Sequence, residues 1–130
     1  MAINTPAFPQ RRILVVDDEP GVCEAVKMML DFDGHEVEMA NSGEKALSMF
    51  EEGKFDLVIT DFLMPNMKGD ELATAIKKRA PNQPVVLITA FAEMLPRPLA
   101  GVDFVIPKPF MLENIREAIA KVAPAAIKKT

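Results

Sequence analysis

The sequence predicts an α/β protein: a doubly wound, five-stranded parallel sheet with helices on both faces. Three observations predict it. Short β-branched runs with no polar face, such as Ile13-Leu14-Val15-Val16, read as strands buried on both sides. Helical periods fill the gaps between these runs. Strands and helices alternate every ~20–30 residues, the spacing of right-handed βαβ units. A chain of 130 residues, 49% apolar and 26% charged, suits one globular domain with its own core.

Residues 1–11 read as a flexible N-terminal arm, because Pro6 and Pro9 discourage regular structure and nothing there is periodic. The first strand is Ile13–Val16. Val22, Ala25, Val26, Met29 and Leu30 then recur at helical spacing, with Pro20 near the start and Gly34 past the end. Glu36-Val37-Glu38-Met39 alternates, which places it at a sheet edge. Ser42 is an expected N-cap for a helix through Ala46, Leu47, Met49 and Phe50 that closes near Gly53. Leu57-Val58-Ile59 is a third strand, and Leu72, Ala73, Ile76 and Lys77 outline a helix stopped by Pro81. Val85–Ile88 and Val102–Ile106 complete the strands, and Leu112, Ile115, Ile119 and Val122 outline the last helix. A fourth helix is due between Thr89 and Gly101. Pro96 and Pro98 remove two donors there and push Leu95 and Arg97 out of the α region, so a shortened helix or an irregular loop is expected. The folded unit is expected over residues 12–123, with 124–130 a tail or the start of a linker. The nine methionines read mostly as core on helix faces.

Composition excludes several functions. One cysteine, Cys23, and one histidine, His35, build neither a disulfide framework nor a Cys/His zinc site. Cys23 reads as a small core residue, and His35 as a turn residue with little catalytic weight. A net charge of −4 argues against holding nucleic acid through counterion release. No apolar run approaches the ~20 residues of a membrane span, and the first residues lack the apolar stretch of a secretory signal. The expected compartment is the cytoplasm, with no membrane partner.

In an open parallel sheet, ligands bind beyond the carboxyl ends of the strands. The residues that follow the strand runs are Asp17, Asp18 and Glu19, then Thr60 and Asp61, then Thr89, then Pro107 and Lys108. Singly, each has an ordinary structural reading: helix N-terminal acids, a turn initiator, a cap, a solvated charge. Together they gather at one rim. Carboxylates crowded there raise one another's pKa unless a cation neutralises them, and one lysine offsets one charge. The remaining deficit and the all-oxygen donor set suit Mg²⁺. A carboxylate beside Mg²⁺, a lysine and a hydroxyl is a place to receive a phosphoryl group, with one aspartate as nucleophile.

The strings Ile13-Leu14-Val15-Val16-Asp17-Asp18-Glu19, Asp61-Phe62-Leu63-Met64-Pro65 with Gly69, Thr89-Ala90 and Lys108-Pro109-Phe110 resemble the receiver domain of bacterial two-component response regulators, single-domain chemotaxis-type regulators included. The resemblance spans roughly residues 12–122. It implies the flavodoxin-like strand order 2-1-3-4-5. It implies that Asp61 accepts a phosphoryl group from a histidine kinase or a histidine phosphotransfer protein. Asp17, Asp18, Asp61 and the backbone carbonyl of Leu63 would hold Mg²⁺, Lys108 would contact the phosphoryl oxygens, and Thr89 would be the hydroxyl switch. The Lys108–Pro109 bond would be cis. The chain would be a phosphorylation-dependent signalling switch, not an enzyme for a diffusible substrate. The residues two beyond the nucleophile and two beyond the switch threonine flank the path of hydrolytic water in this family; here they are Leu63 and Phe91.

The chain departs from the family pattern at Val105, where an aromatic residue is usual, and at the prolines of the fourth helix. Phe104, next to Val105, points to the other face by strand alternation. Three alternatives stay open on sequence alone. One is a pseudo-receiver that keeps the fold as a protein-interaction module. Another is an N-terminal receiver belonging to a longer regulator. The third, a Mg²⁺-dependent phosphatase, commonly has a second aspartate two residues after the nucleophile, where this chain has Leu63. The downstream target is not specified by any of these residues.

Overall fold

The computed structural model describes residues 9–124. Most of the predicted arm and the predicted tail lie outside the described residues. Five parallel strands, β1 (Arg12–Val16), β2 (Glu36–Ala40), β3 (Leu57–Asp61), β4 (Val85–Thr89) and β5 (Phe104–Pro107), form one sheet in the order β2-β1-β3-β4-β5. Four helices connect or follow them: α1 (Pro20–Phe32), α2 (Gly43–Met49), α3 (Gly69–Arg79) and α4 (Leu112–Val122).

Strand alternation divides the core into two layers. Ile13, Val15, Leu57, Ile59, Val86, Ile88 and Ile106 face α1 and α4, where Cys23, Val26, Leu30, Ile115 and Ile119 meet them. Leu14, Val16, Val58 and Val85 face α2 and α3, where Ala46, Leu72, Ala73 and Ile76 meet them. Residues of β1, β3 and β4 are almost wholly buried, each large apolar side chain contributing ~1.5–3 kcal/mol relative to exposure.

The helix ends follow their sequence signals. Pro20 opens α1, where its missing N–H costs nothing. Gly34 follows α1 with φ of 87°, and its N–H bonds the Asp31 carbonyl at 2.9 Å. The Ser42 hydroxyl caps α2 by accepting from the Lys45 N–H at 3.0 Å. The Glu71 carboxylate accepts from the Lys68 N–H at the start of α3 (2.8 Å). Where a fourth helix was expected, the chain makes only a 3₁₀ turn over Ala92–Met94, as the prolines require.

Three expectations need correction. Arg11 is not part of a loose arm: its side chain is 2% exposed and its Nε donates to the Ala123 carbonyl at 2.8 Å. The last strand begins at Phe104, not Val102, and it is not buried on both sides, because it forms the second sheet edge and Phe104 and Val105 are only half buried. Only the 3₁₀ turn over Ala92–Met94 precedes it, and Val105 stays half buried. The described methionines divide evenly rather than being mostly core: Met64 is buried and Met29, Met49 and Met67 pack against the core, whereas Met28, Met39, Met94 and Met111 are exposed. Cys23, by contrast, is buried as expected, and burial pushes its thiol pKa up, which makes it a poor nucleophile.

Candidate functional site

β1 lies between β2 and β3, so the chain turns to opposite sides of β1, and a crevice opens where the order reverses. Asp17 stands at that point. Its backbone N–H extends the β1–β2 ladder by bonding the Ala40 carbonyl at 3.1 Å, which fixes where its carboxylate projects. Asp61 ends β3 next door. One carboxylate oxygen each from Asp17, Asp18 and Asp61 lie within 4.8 Å of one another. Among the described residues this is the one cluster of metal-binding type.

Lys108 reaches the cluster from β5. Its N–H continues the β4–β5 pairing to the Thr89 carbonyl (2.9 Å), and its Nζ sits 3.0 Å from Asp61 Oδ1. The Lys108–Pro109 bond is cis. Thr89, 2% exposed, accepts the Phe91 N–H on its hydroxyl oxygen at 2.9 Å. The O–H proton is still available for donation, since a hydroxyl donates and accepts at once. An open cavity of about 260 Å³ is lined by Asp18, Glu19, Asp61, Leu63, Thr89 and Lys108, with Phe91 also on its wall. The structure therefore brings Asp18, Glu19, Asp61, Thr89 and Lys108 to one cavity, with Asp17 beside Asp18 and Asp61, and sets Leu63 and Phe91 at the rim, 47% and 41% exposed; Thr60 is instead wholly buried and Pro107 does not line the cavity.

The electrostatics of the cluster are those of carboxylates short of cations. Burial pushes the Asp17 carboxyl up to about 6. The Glu19 N–H, which Asp17 Oδ1 accepts at 2.9 Å, pulls the other way; the charge of Asp61 adds to the rise, Lys108 opposes it, and Asp18 adds again. Three carboxylates and one ammonium leave room for a divalent cation, and hard oxygen donors without His or Cys fit Mg²⁺.

Gly69 had appeared in the sequence only as part of a motif. In the structure it opens α3 directly against Asp61. Its N–H donates to the Phe62 carbonyl at 2.8 Å, and a Cβ here would overlap the Asp61 carbonyl oxygen and come within 2.7 Å of Leu87 Cδ1. The glycine lets the helix start approach the strand end that carries Asp61. Only the tertiary contact reveals this.

Comparison with known proteins agrees with this geometry. The profile of the response regulator receiver domain matches residues 13–120. The response regulator MprA of Mycolicibacterium vanbaalenii is 36% identical over 107 residues, which are 80% of this chain and 46% of MprA. The chain thus spans about half the length of the curated relatives it matches. Among solved structures, the response regulator protein TrrA of Thermotoga maritima, in complex with Mg²⁺-BeF, is 36% identical with a TM-score of 0.79, covering 86% of this chain and 98% of TrrA. TrrA has also been solved in complex with the histidine kinase ThkA. The chemotaxis protein CheY4 of Vibrio cholerae is 26% identical with a TM-score of 0.75, over 89% of this chain and 99% of CheY4. The chain belongs to the response regulator receiver family, a module of two-component signalling and not a conventional enzyme. No helix among the described residues is long and apolar enough to cross a membrane.

Proposed function

We propose that this receiver is a phosphorylation-dependent switch that takes a phosphoryl group on Asp61 from a phosphohistidine of a histidine kinase or phosphotransfer protein. The observation that carries this reading is the Lys108 ammonium, 3.0 Å from Asp61 at the centre of the three-carboxylate cluster. An Asp61 carboxylate oxygen attacks phosphorus in line. The P–N bond to the donor imidazole breaks as the new P–O bond forms, and the imidazole leaves with its electron pair and takes up a proton. Asp17, Asp18, Asp61 and the Leu63 carbonyl are the groups to hold Mg²⁺, which when bound neutralises charge on the phosphoryl oxygens. Lys108 turns from the Asp61 carboxylate to a phosphoryl oxygen, and the Thr89 hydroxyl donates to another while keeping its bond to the Phe91 N–H.

A donor must approach the rim beside the start of α1. Gly21, Ala25, Met28 and Phe32 lie exposed along that helix at four- and three-residue spacing, with Met28 71% and Phe32 78% exposed. This stripe suits a helix of the phosphodonor laid against α1. That TrrA forms a complex with ThkA supports a kinase partner. The receiver unit is residues 12–123 together with the buried Arg11. Readout of the phosphorylated state runs without an aromatic residue at Val105 and without a long fourth helix, so it belongs to the loop that begins at Thr89.

Incubation with a small-molecule phosphodonor should raise the intact mass by one phosphoryl group when Mg²⁺ is present and not when it is withheld. Asp18→Ala should lose both the mass gain and Mg²⁺ binding measured by calorimetry, while keeping its circular dichroism spectrum. Unchanged Mg²⁺ affinity in that variant would remove Asp18 from the metal site.

A further inference from the structure

A second cluster of ionisable side chains lies at the opposite end of the sheet, where β1 and β2 begin. Arg11 and His35 precede those two strands and are 2% and 6% exposed. The Arg11 backbone N–H donates to His35 Nδ1 at 2.9 Å. The Arg11 side chain spans to the end of α4, with Nε 2.8 Å from the Ala123 carbonyl and Nη1 2.8 Å from the Pro9 carbonyl. One histidine nitrogen therefore holds the residue that ties the approach to β1 to the exit of α4. A cavity of about 120 Å³ beside them is lined by Asp33, Arg116, Arg11 and His35, among others.

We propose that His35 is a proton-operated latch: protonation at Nδ1 breaks its bond to Arg11 and loosens the end of α4.

The chemistry follows from the tautomer. Because Nδ1 accepts a hydrogen bond, the ring proton of neutral His35 is on Nε2, and Nδ1 is the one nitrogen left to protonate. A proton there points at the Arg11 N–H, and two donors cannot share a hydrogen bond. The imidazolium also meets other charges. Arg11 faces it from the approach to β1, Asp33 from the C-cap of α1, and Arg116 from α4. The one carboxylate among these is already engaged: Asp33 accepts from Arg116 Nε at 2.9 Å and from Nη2 at 2.8 Å, and the guanidinium holds its carboxyl below the usual range.

Burial lowers the His35 pKa from its ordinary 6.5; Asp33 opposes this and Arg11 adds to it. The closed latch then binds fewer protons than the open one. Closure is at full strength above the open-state value of 6.5 and weakens as pH falls below it, by up to about tenfold in the opening equilibrium per pH unit.

The test is amide hydrogen exchange from pH 7.5 to 5, corrected for intrinsic chemistry, on the whole chain. The reporters are the Arg11 N–H and the Ala123 N–H, which bonds the Ile119 carbonyl at 2.8 Å, with the β1 amides as reference. Both reporters should lose protection below about pH 6.5 relative to β1. His35→Asn supplies an oxygen near the Nδ1 position and does not titrate, so its protection should stay flat with pH. Equal loss in wild type and variant would overturn the proposal. NMR titration of the wild-type imidazole decides the matter without any variant: a pKa below 6.5 with Nδ1 as acceptor supports the latch, and a pKa at or above 6.5 overturns it.

Discussion

Phosphorylated protein is expected to decay slowly once donor is removed, and the double variant Leu63→Asn, Phe91→Glu is expected to decay about 100-fold faster. An acyl phosphate on Asp61 is lost when water attacks phosphorus in line. The groups beside that path are Leu63 and Phe91, which line the cavity at its rim. Neither orients or deprotonates water. Assistance from a positioned base contributes ~10²–10⁴-fold, and a carboxylate at position 91 with an amide at 63 should recover the lower end of that range. The backbone from which the Phe91 ring projects is held at two points. Its N–H is tied to the Thr89 hydroxyl oxygen at 2.9 Å and its carbonyl accepts from the Met94 N–H at 2.9 Å. First-order decay of the intact mass after donor removal measures the effect. Rapid loss from the wild type, with no acceleration in the double variant, would show that these side chains do not shield the phosphate.

Gly69→Ala should cost stability near the upper end of the ~1–3 kcal/mol usual for overpacking, and should also sharply reduce phosphorylation. The added methyl meets the Asp61 carbonyl oxygen, which is backbone and cannot rotate away, as well as Leu87 Cδ1. Either α3 retreats or the end of β3 shifts, and the second outcome moves the proposed nucleophile. Gly21→Ala is the control, since a Cβ there meets nothing within 4 Å and α1 gains helix propensity. Urea unfolding of both variants separates the two cases. Equal stability would mean that α3 does not press on Asp61.

The strand-end residues of the site are legible in the sequence. Asp17, Asp18, Asp61, Thr89 and Lys108 converge because all strands of a parallel sheet end on one side, so a list of strand-end residues is already a map of the rim. The 3₁₀ turn in place of a helix followed from Pro96 and Pro98 by backbone chemistry alone. Contacts that depend on the far ends of the chain were not legible. Arg11 follows a proline-bearing arm and reads as solvated, yet its guanidinium is buried on a carbonyl 112 positions away. His35 reads as an idle turn residue, because nothing local announces that its Nδ1 accepts the Arg11 N–H. The half-buried Phe104 and Val105 carry the apolar pattern of an interior strand, and it is the order 2-1-3-4-5 implied by the resemblance, not the local pattern, that places β5 at an edge. Ala25 recurs among the apolar helix positions but lies on the outer stripe of α1, since the inner face is already filled by Cys23, Val26 and Leu30.

The central claim, phosphoryl transfer to Asp61, is tested most directly by mapping the modified residue. Borohydride reduces an aspartyl phosphate to homoserine, which peptide mass spectrometry locates after treatment of the protein with phosphodonor and Mg²⁺. The account predicts homoserine at position 61 alone, and no phosphoryl mass gain in a folded Asp61→Asn variant. Homoserine at position 17 or 18, or an undiminished mass gain in Asp61→Asn, would contradict it.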